Sequence, residues 1–118
     1  MKGVLVLAHG SREKATEETF QKVVQMAVKQ VQIPVETAYM EFGKPDIAAG
    51  LDKLAARGVD HVRVVPYFLF SGIHIREDIP GELKEYQKSH PDITLEMGDT
   101  LGADPRIAAV LADRMLGK

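Results

Sequence analysis

Three side chains able to exchange protons or hold a metal ion stand at abrupt changes of character in this chain. His9 ends the apolar run of "VLVLAHGSREK", residues 4–14, and is followed at once by a glycine and a charged turn. Glu41 lies in "AYMEFGKPDI", residues 38–47, and His74 in "SGIHIREDIP", residues 71–80. The chain has no cysteine. Disulfides, thiolate metal sites, iron–sulfur clusters and cysteine nucleophiles are therefore excluded together, and any metal must be held by nitrogen and oxygen. Each of the three residues also has an ordinary reading, because a histidine at a strand end can simply cap a turn and a lone glutamate is usually a solvated charge. What separates the two readings is whether the fold brings the three together.

The elements that would position them are short strands alternating with longer amphipathic helices. Gly3 to Ala8 is a continuous apolar run, as expected of a strand buried on both faces. Phe20, Val23, Val24, Ala27, Val28 and Val31 recur at helical spacing in a segment that begins near Glu13, which predicts a helix covering a sheet. Pro34 to Glu41 predicts the second strand. Pro45 is placed as the first residue of a second helix, buried through Ile47, Leu51, Leu54 and Ala55 and stopped at Gly58. A third strand starts near His61 and ends about Pro66, which cannot donate to a sheet ladder. "PYFLFSGIH" then predicts an irregular apolar loop holding His74, and a third helix starts between Ile75 and Pro80. Ile93 to Met97 predicts a fourth strand, with Asp104 as N-cap and Pro105 in the first turn of a closing helix.

Strands joined by helical crossovers pair in parallel, so the expected fold is α/β, a three-layer sandwich on a four-stranded parallel sheet of order 2-1-3-4. Helices one, two and four are expected to cover that sheet. In this order the connections leaving strands one and three diverge, opening a crevice at their carboxyl ends. His9, Glu41 and His74 then converge on one edge of the sheet, while His61 and His90 fall on the opposite edge and read as surface residues. The apolar segment after Pro66, with Phe68, Leu69 and Phe70, reads either as core or as a wall facing a ligand.

Composition narrows the classes further. A chain of 118 residues is one ordinary domain, 1–118. With 45% hydrophobic and 27% charged residues and a mean hydropathy of -0.11, it reads as globular, and a net charge of -2 gives no support to nucleic-acid binding. The apolar run after Met1 and Lys2 is broken by His9, too short for a secretory leader or a membrane span, so a cytoplasmic protein is expected.

Taken together, "LVLAHGSR", "AYMEFGKPDI", "VVPYFLFSGIHIREDIP" and "LGADPRI" resemble the sirohydrochlorin chelatase family, the cobalt and iron chelatases of cobalamin and sirohaem synthesis. The resemblance covers nearly the whole chain, and the third stretch is its most specific part. It implies ATP-independent insertion of a divalent metal ion into sirohydrochlorin or a related tetrapyrrole, with the ion as substrate and no prosthetic group. His9 and His74 are implied as the metal-handling and proton-accepting pair, with Glu41 as their carboxylate partner. A neutral imidazole suits that work: it strips water from a first-row ion, releases the ion to four pyrrole nitrogens and can take up a pyrrole proton. The macrocycle is flat, apolar and fringed with carboxylates. Tyr67, Phe68, Leu69, Phe70, Ser71, Gly72 and Ile73 are the expected wall, and Ser11, Arg12 and Arg76 the expected partners of the acidic arms, with Lys44 a weaker candidate.

The chain carries one such unit where larger members of the group carry two, and it has no histidine-rich stretch. A half unit offers half a cleft, so a homodimer is expected, with the "PYFLFSGI" region near both the ring and the subunit boundary. Two rival readings are a carrier of metal or tetrapyrrole without turnover, and a histidine phosphatase. The second wants a cation just before the histidine, where Ala8 stands. Cobalt is the favoured ion over nickel and iron, from the short single-unit form.

Overall fold

The computed structural model describes residues 1–118, the side chains of His74 and Arg76 excepted. Strands β1 (Lys2–Ala8), β2 (Val35–Tyr39), β3 (His61–Pro66) and β4 (Thr94–Met97) form one parallel sheet of order β2-β1-β3-β4. Helices α1 (Lys14–Val28), α2 (Ile47–Ala56), α3 (Ile79–Ser89) and α4 (Pro105–Met115) follow the strands in turn. The βα alternation, the parallel pairing and the strand order are those expected.

Period-two alternation sorts each strand between two faces. Leu5 and Leu7 of β1, Ala38 of β2 and Val62 and Val64 of β3 point to one side, where α2 and α3 bury Leu51, Leu54, Ile79, Leu83 and Tyr86 against them. Gly50 lets α2 approach closely, since a Cβ there would meet the Leu5 and Ala38 side chains. The Tyr86 hydroxyl donates to Asp52 at 2.7 Å and ties α3 to α2. Its burial and the Asp52 carboxylate push the phenol well above its ordinary range, so it remains a donor.

The other face is only half covered. Phe20 and Val24 of α1 pack with Ala8 and Tyr39, and Gln21 donates to Thr37 Oγ1 and to the Tyr39 hydroxyl, so α1 sits over β2 and β1. Nothing of α4 is buried. The expectation that α4 covers the sheet is therefore corrected: it stands off the body, and the molecule measures 50 × 31 × 26 Å. For the same reason Ala27, Val28 and Val31, expected to be buried by α1, are exposed, because the helix that would flank them on this face is absent from it. The outer end of this face is polar, with Arg63 Nε donating to Glu96 across β3 and β4 at 2.9 Å.

Two boundaries also differ from expectation. Pro45 lies ahead of α2 in a cis peptide with Lys44, and Asp46 is the N-cap, its carboxylate accepting from the Ala49 amide at 2.9 Å. His74 is not in the loop but opens a π-helical turn, His74–Asp78, which runs straight into α3. At α4 the expectation holds, with Asp104 accepting from the Arg106 amide at 2.8 Å and Pro105 in the first turn.

Two substitutions weigh these contacts. Leu54→Ala, at a position with no solvent exposure, is expected to lower stability by about 3 kcal/mol. Tyr86→Phe should lower it by about 1 kcal/mol, and urea unfolding measures both.

Candidate functional site

The carboxyl edge of the sheet is where the chain changes from regular pairing to loops, and the pairing outlasts the strands. Beyond Ala8 and Tyr39, the Met40 amide donates to Ala8 O and the Glu41 amide to His9 O, each at 3.0 Å. On the other flank the Tyr67 amide donates to Leu7 O at 2.7 Å. His9 is thus held through its backbone to Glu41 on one side, while the chain that leaves β3 starts beside it on the other. Gly10 makes this possible. Its φ is +98°, and a Cβ there would overlap the Glu41 carbonyl, so only glycine lets β1 turn this closely under Glu41.

The His9 ring is exposed, with Nδ1 3.3 Å from Gly10 O, and it meets the edge of Phe68 at a centroid separation of 6.4 Å. It rims two hollows of about 470 Å³ each. One is walled by Tyr67, Phe68, Leu69, Phe70 and Gly72, with the buried Ile75 at its base; the other lies over Thr16, Thr19 and Phe20 of α1. Tyr67 belongs to both and is braced against Phe20 at 5.3 Å. The wall is apolar and open: Phe70 is 80% exposed and Leu69 49%. Ser71 and Ile73 are exposed on the same loop but, among the described residues, do not line the hollow.

Arg12 reaches this edge by stacking its guanidinium 4.7 Å over the Phe42 ring, and the Ser11 hydroxyl accepts from the Glu13 amide at 3.0 Å, shaping the turn into α1. Lys44 instead flanks α1 beside Lys14 and Glu17, away from His9. His74 begins the π-helical turn, a rare geometry that concentrates at functional sites, and Ile75 and Ile79 anchor that turn in the core. The side-chain roles expected of His74 and Arg76 lie outside the described residues. Among the described residues no group of three His, Asp or Glu side chains is close enough to hold a metal.

Phe42 is the residue that the sequence reading missed. It is an exposed aromatic in the left-handed region, φ +59°, directly after Glu41. A bulky side chain there is strained, and such strain concentrates at functional sites. Its sequence signal was slight: one aromatic between the glutamate and Gly-Lys-Pro.

The parallel α/β unit, open at the switch point between β1 and β3, is a fold shared with solved chelatases. The chain superposes with a TM-score of 0.93 on the sirohydrochlorin chelatase SirB from Bacillus subtilis subspecies spizizenii in complex with cobalt, at 26% identity, covering 98% of this chain and 50% of that one. The CbiX family model matches residues 3–117, and the chain belongs to the CbiX family. It is similar to the sirohydrochlorin cobaltochelatase of Sulfurisphaera tokodaii, 33% identical over 115 residues that cover 98% of this chain and 92% of that protein. It is similar also to the sirohydrochlorin ferrochelatase of Priestia megaterium, 28% identical over 116 residues. The chain spans about half the length of that ferrochelatase, 44%, as it does of SirB.

Gly10→Ala is expected to lower stability by about 2–4 kcal/mol, from the left-handed backbone and the clash together. Gly81→Ala, where an added Cβ meets nothing, is the control and should be neutral or slightly stabilising. Thermal unfolding of the two variants decides.

Proposed function

We propose that the protein inserts a divalent first-row metal ion into sirohydrochlorin or a closely related tetrapyrrole, without ATP, in cobalamin or sirohaem synthesis. The observation that carries this reading is the exposed His9 imidazole at the switch-point edge, fixed to Glu41 through the backbone and facing the apolar wall of Phe68 to Phe70. The family relationship adds the substrate class. Cobalt is the ion we favour, because the cobaltochelatase relative matches this chain over 92% of its own length. The metal is a substrate, and the reading requires no prosthetic group.

Insertion asks three things of the protein: the ion must lose water, the ring must bend, and two pyrrole N–H protons must leave. His9 and His74 are proposed to take the ion in transit and to accept the protons, with Glu41 adding negative charge that favours both. Imidazole and carboxylate bind a first-row ion strongly enough to displace water and weakly enough to lose it to four ring nitrogens. The ring lies against Tyr67, Phe68, Leu69, Phe70 and Phe42, where burial of apolar surface drives binding. Arg12, Arg76 and Ser11 meet the peripheral carboxylates, and Arg12 is already oriented by its stacking on Phe42.

The open hollow covers one side of a macrocycle, so we place the active species as a homodimer in which a second unit closes the cleft. We place it in the cytoplasm, which the cysteine-free composition suits. No helix is long and apolar enough to cross a membrane.

The test follows the visible spectrum of the metal-free ring on mixing with cobalt and protein. Catalytic turnover over many equivalents is the expected result, and a stoichiometric shift without turnover would make the protein a carrier. His9→Ala and His74→Ala should each cut the insertion rate at least about 100-fold, the range for loss of a general base, in a protein that still folds. Glu41→Gln should weaken metal binding and leave ring binding nearly unchanged. A folded His74→Ala protein that inserts metal at the parental rate removes His74 from the mechanism.

A further inference from the structure

The backbone of Phe42 lies in the left-handed region, φ +59°, where a bulky side chain is disfavoured and glycine is at ease. The side chain does not offset that strain by packing. It is 54% exposed and belongs to neither apolar cluster of the sheet. Its one ring contact among the described residues is the Arg12 guanidinium, 4.7 Å over its centroid. Strain that the core does not require points to a use outside the fold.

Arg12 is unusual in the complementary way. Every other arginine whose side chain is described gives its N–H groups to an oxygen: Arg57 to Glu36, Arg63 to Glu96, Arg106 to Asp104 and Arg114 to the Lys118 carbonyl, at 2.8 to 2.9 Å. Among the described residues Arg12 has no such acceptor, although Glu13 adjoins it and Glu41 directly precedes Phe42. A guanidinium held over an aromatic face keeps its five N–H donors for another partner. This one stands three residues beyond His9, just past the turn that Gly10 makes under the Glu41 carbonyl. The free donors are therefore at the functional edge itself.

We infer that Phe42 is a positioning residue for ring recognition: it holds Arg12 at the carboxyl edge with the guanidinium donors free for a peripheral carboxylate of the tetrapyrrole. The inference rests on the function proposed above and deepens it, because it gives the strained residue a task distinct from that of the wall, Phe68 to Phe70. A long side chain that is already held gives up less freedom on binding, so its paired hydrogen bonds to a carboxylate are stronger than those of an arginine loose in water. Phe42 contributes more through Arg12 than through its own contact with the macrocycle. The consequence is selectivity. An apolar wall binds any flat ring of the right size, whereas a preset guanidinium favours a ring fringed with carboxylates over one without them.

Equilibrium titration of metal-free sirohydrochlorin, followed by its visible spectrum, reads ring affinity without turnover. Arg12→Ala should weaken binding about 10-fold, the loss of one charge-assisted contact. Phe42→Gly should weaken it about 5-fold, the part that stacking supplies, and Phe42→Tyr, which stacks as well, should bind like the parent. The Arg12→Ala, Phe42→Gly double variant should bind little worse than Arg12→Ala alone, because Phe42 then has nothing to orient. In turnover with cobalt, the loss in Phe42→Gly should fall on KM for the ring and not on kcat. Glycine suits the left-handed backbone, so the same variant should melt no lower than the parent. Losses that multiply in the double variant make Phe42 an independent part of the wall, and a Phe42→Gly protein that melts well below the parent makes it a residue of the fold. Either result overturns the inference and leaves the proposed function standing. A parental chain that does not bind the ring removes both.

Discussion

The amides of Met40 and Glu41 donate to the carbonyls of Ala8 and His9, so the two chains stay hydrogen-bonded for two residues beyond the last ladder pair, Ala8 with Tyr39. The whole functional edge depends on that continuation. A histidine after a strand would ordinarily swing with its loop; here its carbonyl is tied, its neighbour Gly10 supplies the left-handed turn, and the Glu41 carbonyl occupies the space a Cβ would take. Directly after this close pass Phe42 stands in the left-handed region, with Arg12 stacked over its ring. An imidazole, a carboxylate, an aromatic and a guanidinium thus stand around one backbone crossing. Each is drawn from a different stretch of sequence or a different side of a turn.

The chemistry proposed for this edge favours openness over burial. A thiolate cage or a closed cluster would hold a first-row ion too firmly to pass it on, whereas an exposed imidazole is a ligand that can let go. The ring side is likewise incomplete in a single chain, with Phe70 and Leu69 standing in water. On the other face of the sheet an apolar hollow lined by Val4, Val6 and Val65 is likewise left open, and no residue of α4 is buried. Tyr67 is the side chain common to the two places.

Much of this was legible in the residues. The strand and helix order, the sheet order and the convergence of His9, Glu41 and the segment of His74 on one edge follow from hydrophobic period and crossover handedness alone, because those rules are local or topological. The cap of α4 at Asp104 was legible for the same reason. What escaped were features that depend on how distant segments meet. Ala27, Val28 and Val31 carry the periodicity of a buried stripe, yet they are exposed, since period reports that a face wants cover and not whether its own chain supplies it. Pro45 reads as a helix start because proline suits a first turn, while the carboxylate that caps α2 belongs to the next residue, Asp46. Phe42 escapes because a positive φ at a bulky residue has no sequence signature of its own. The π-helical turn at His74 likewise has no periodic signature of its own.

The most direct measurement is a crystal structure of the protein soaked with the metal-free ring. The account predicts the macrocycle against Phe68, Leu69 and Phe70, with its pyrrole nitrogens toward His9 and its carboxylate arms toward Arg12. A ring seated in the groove of Val4, Val6 and Val65, or bound with His9 remote from the pyrrole nitrogens, would contradict it.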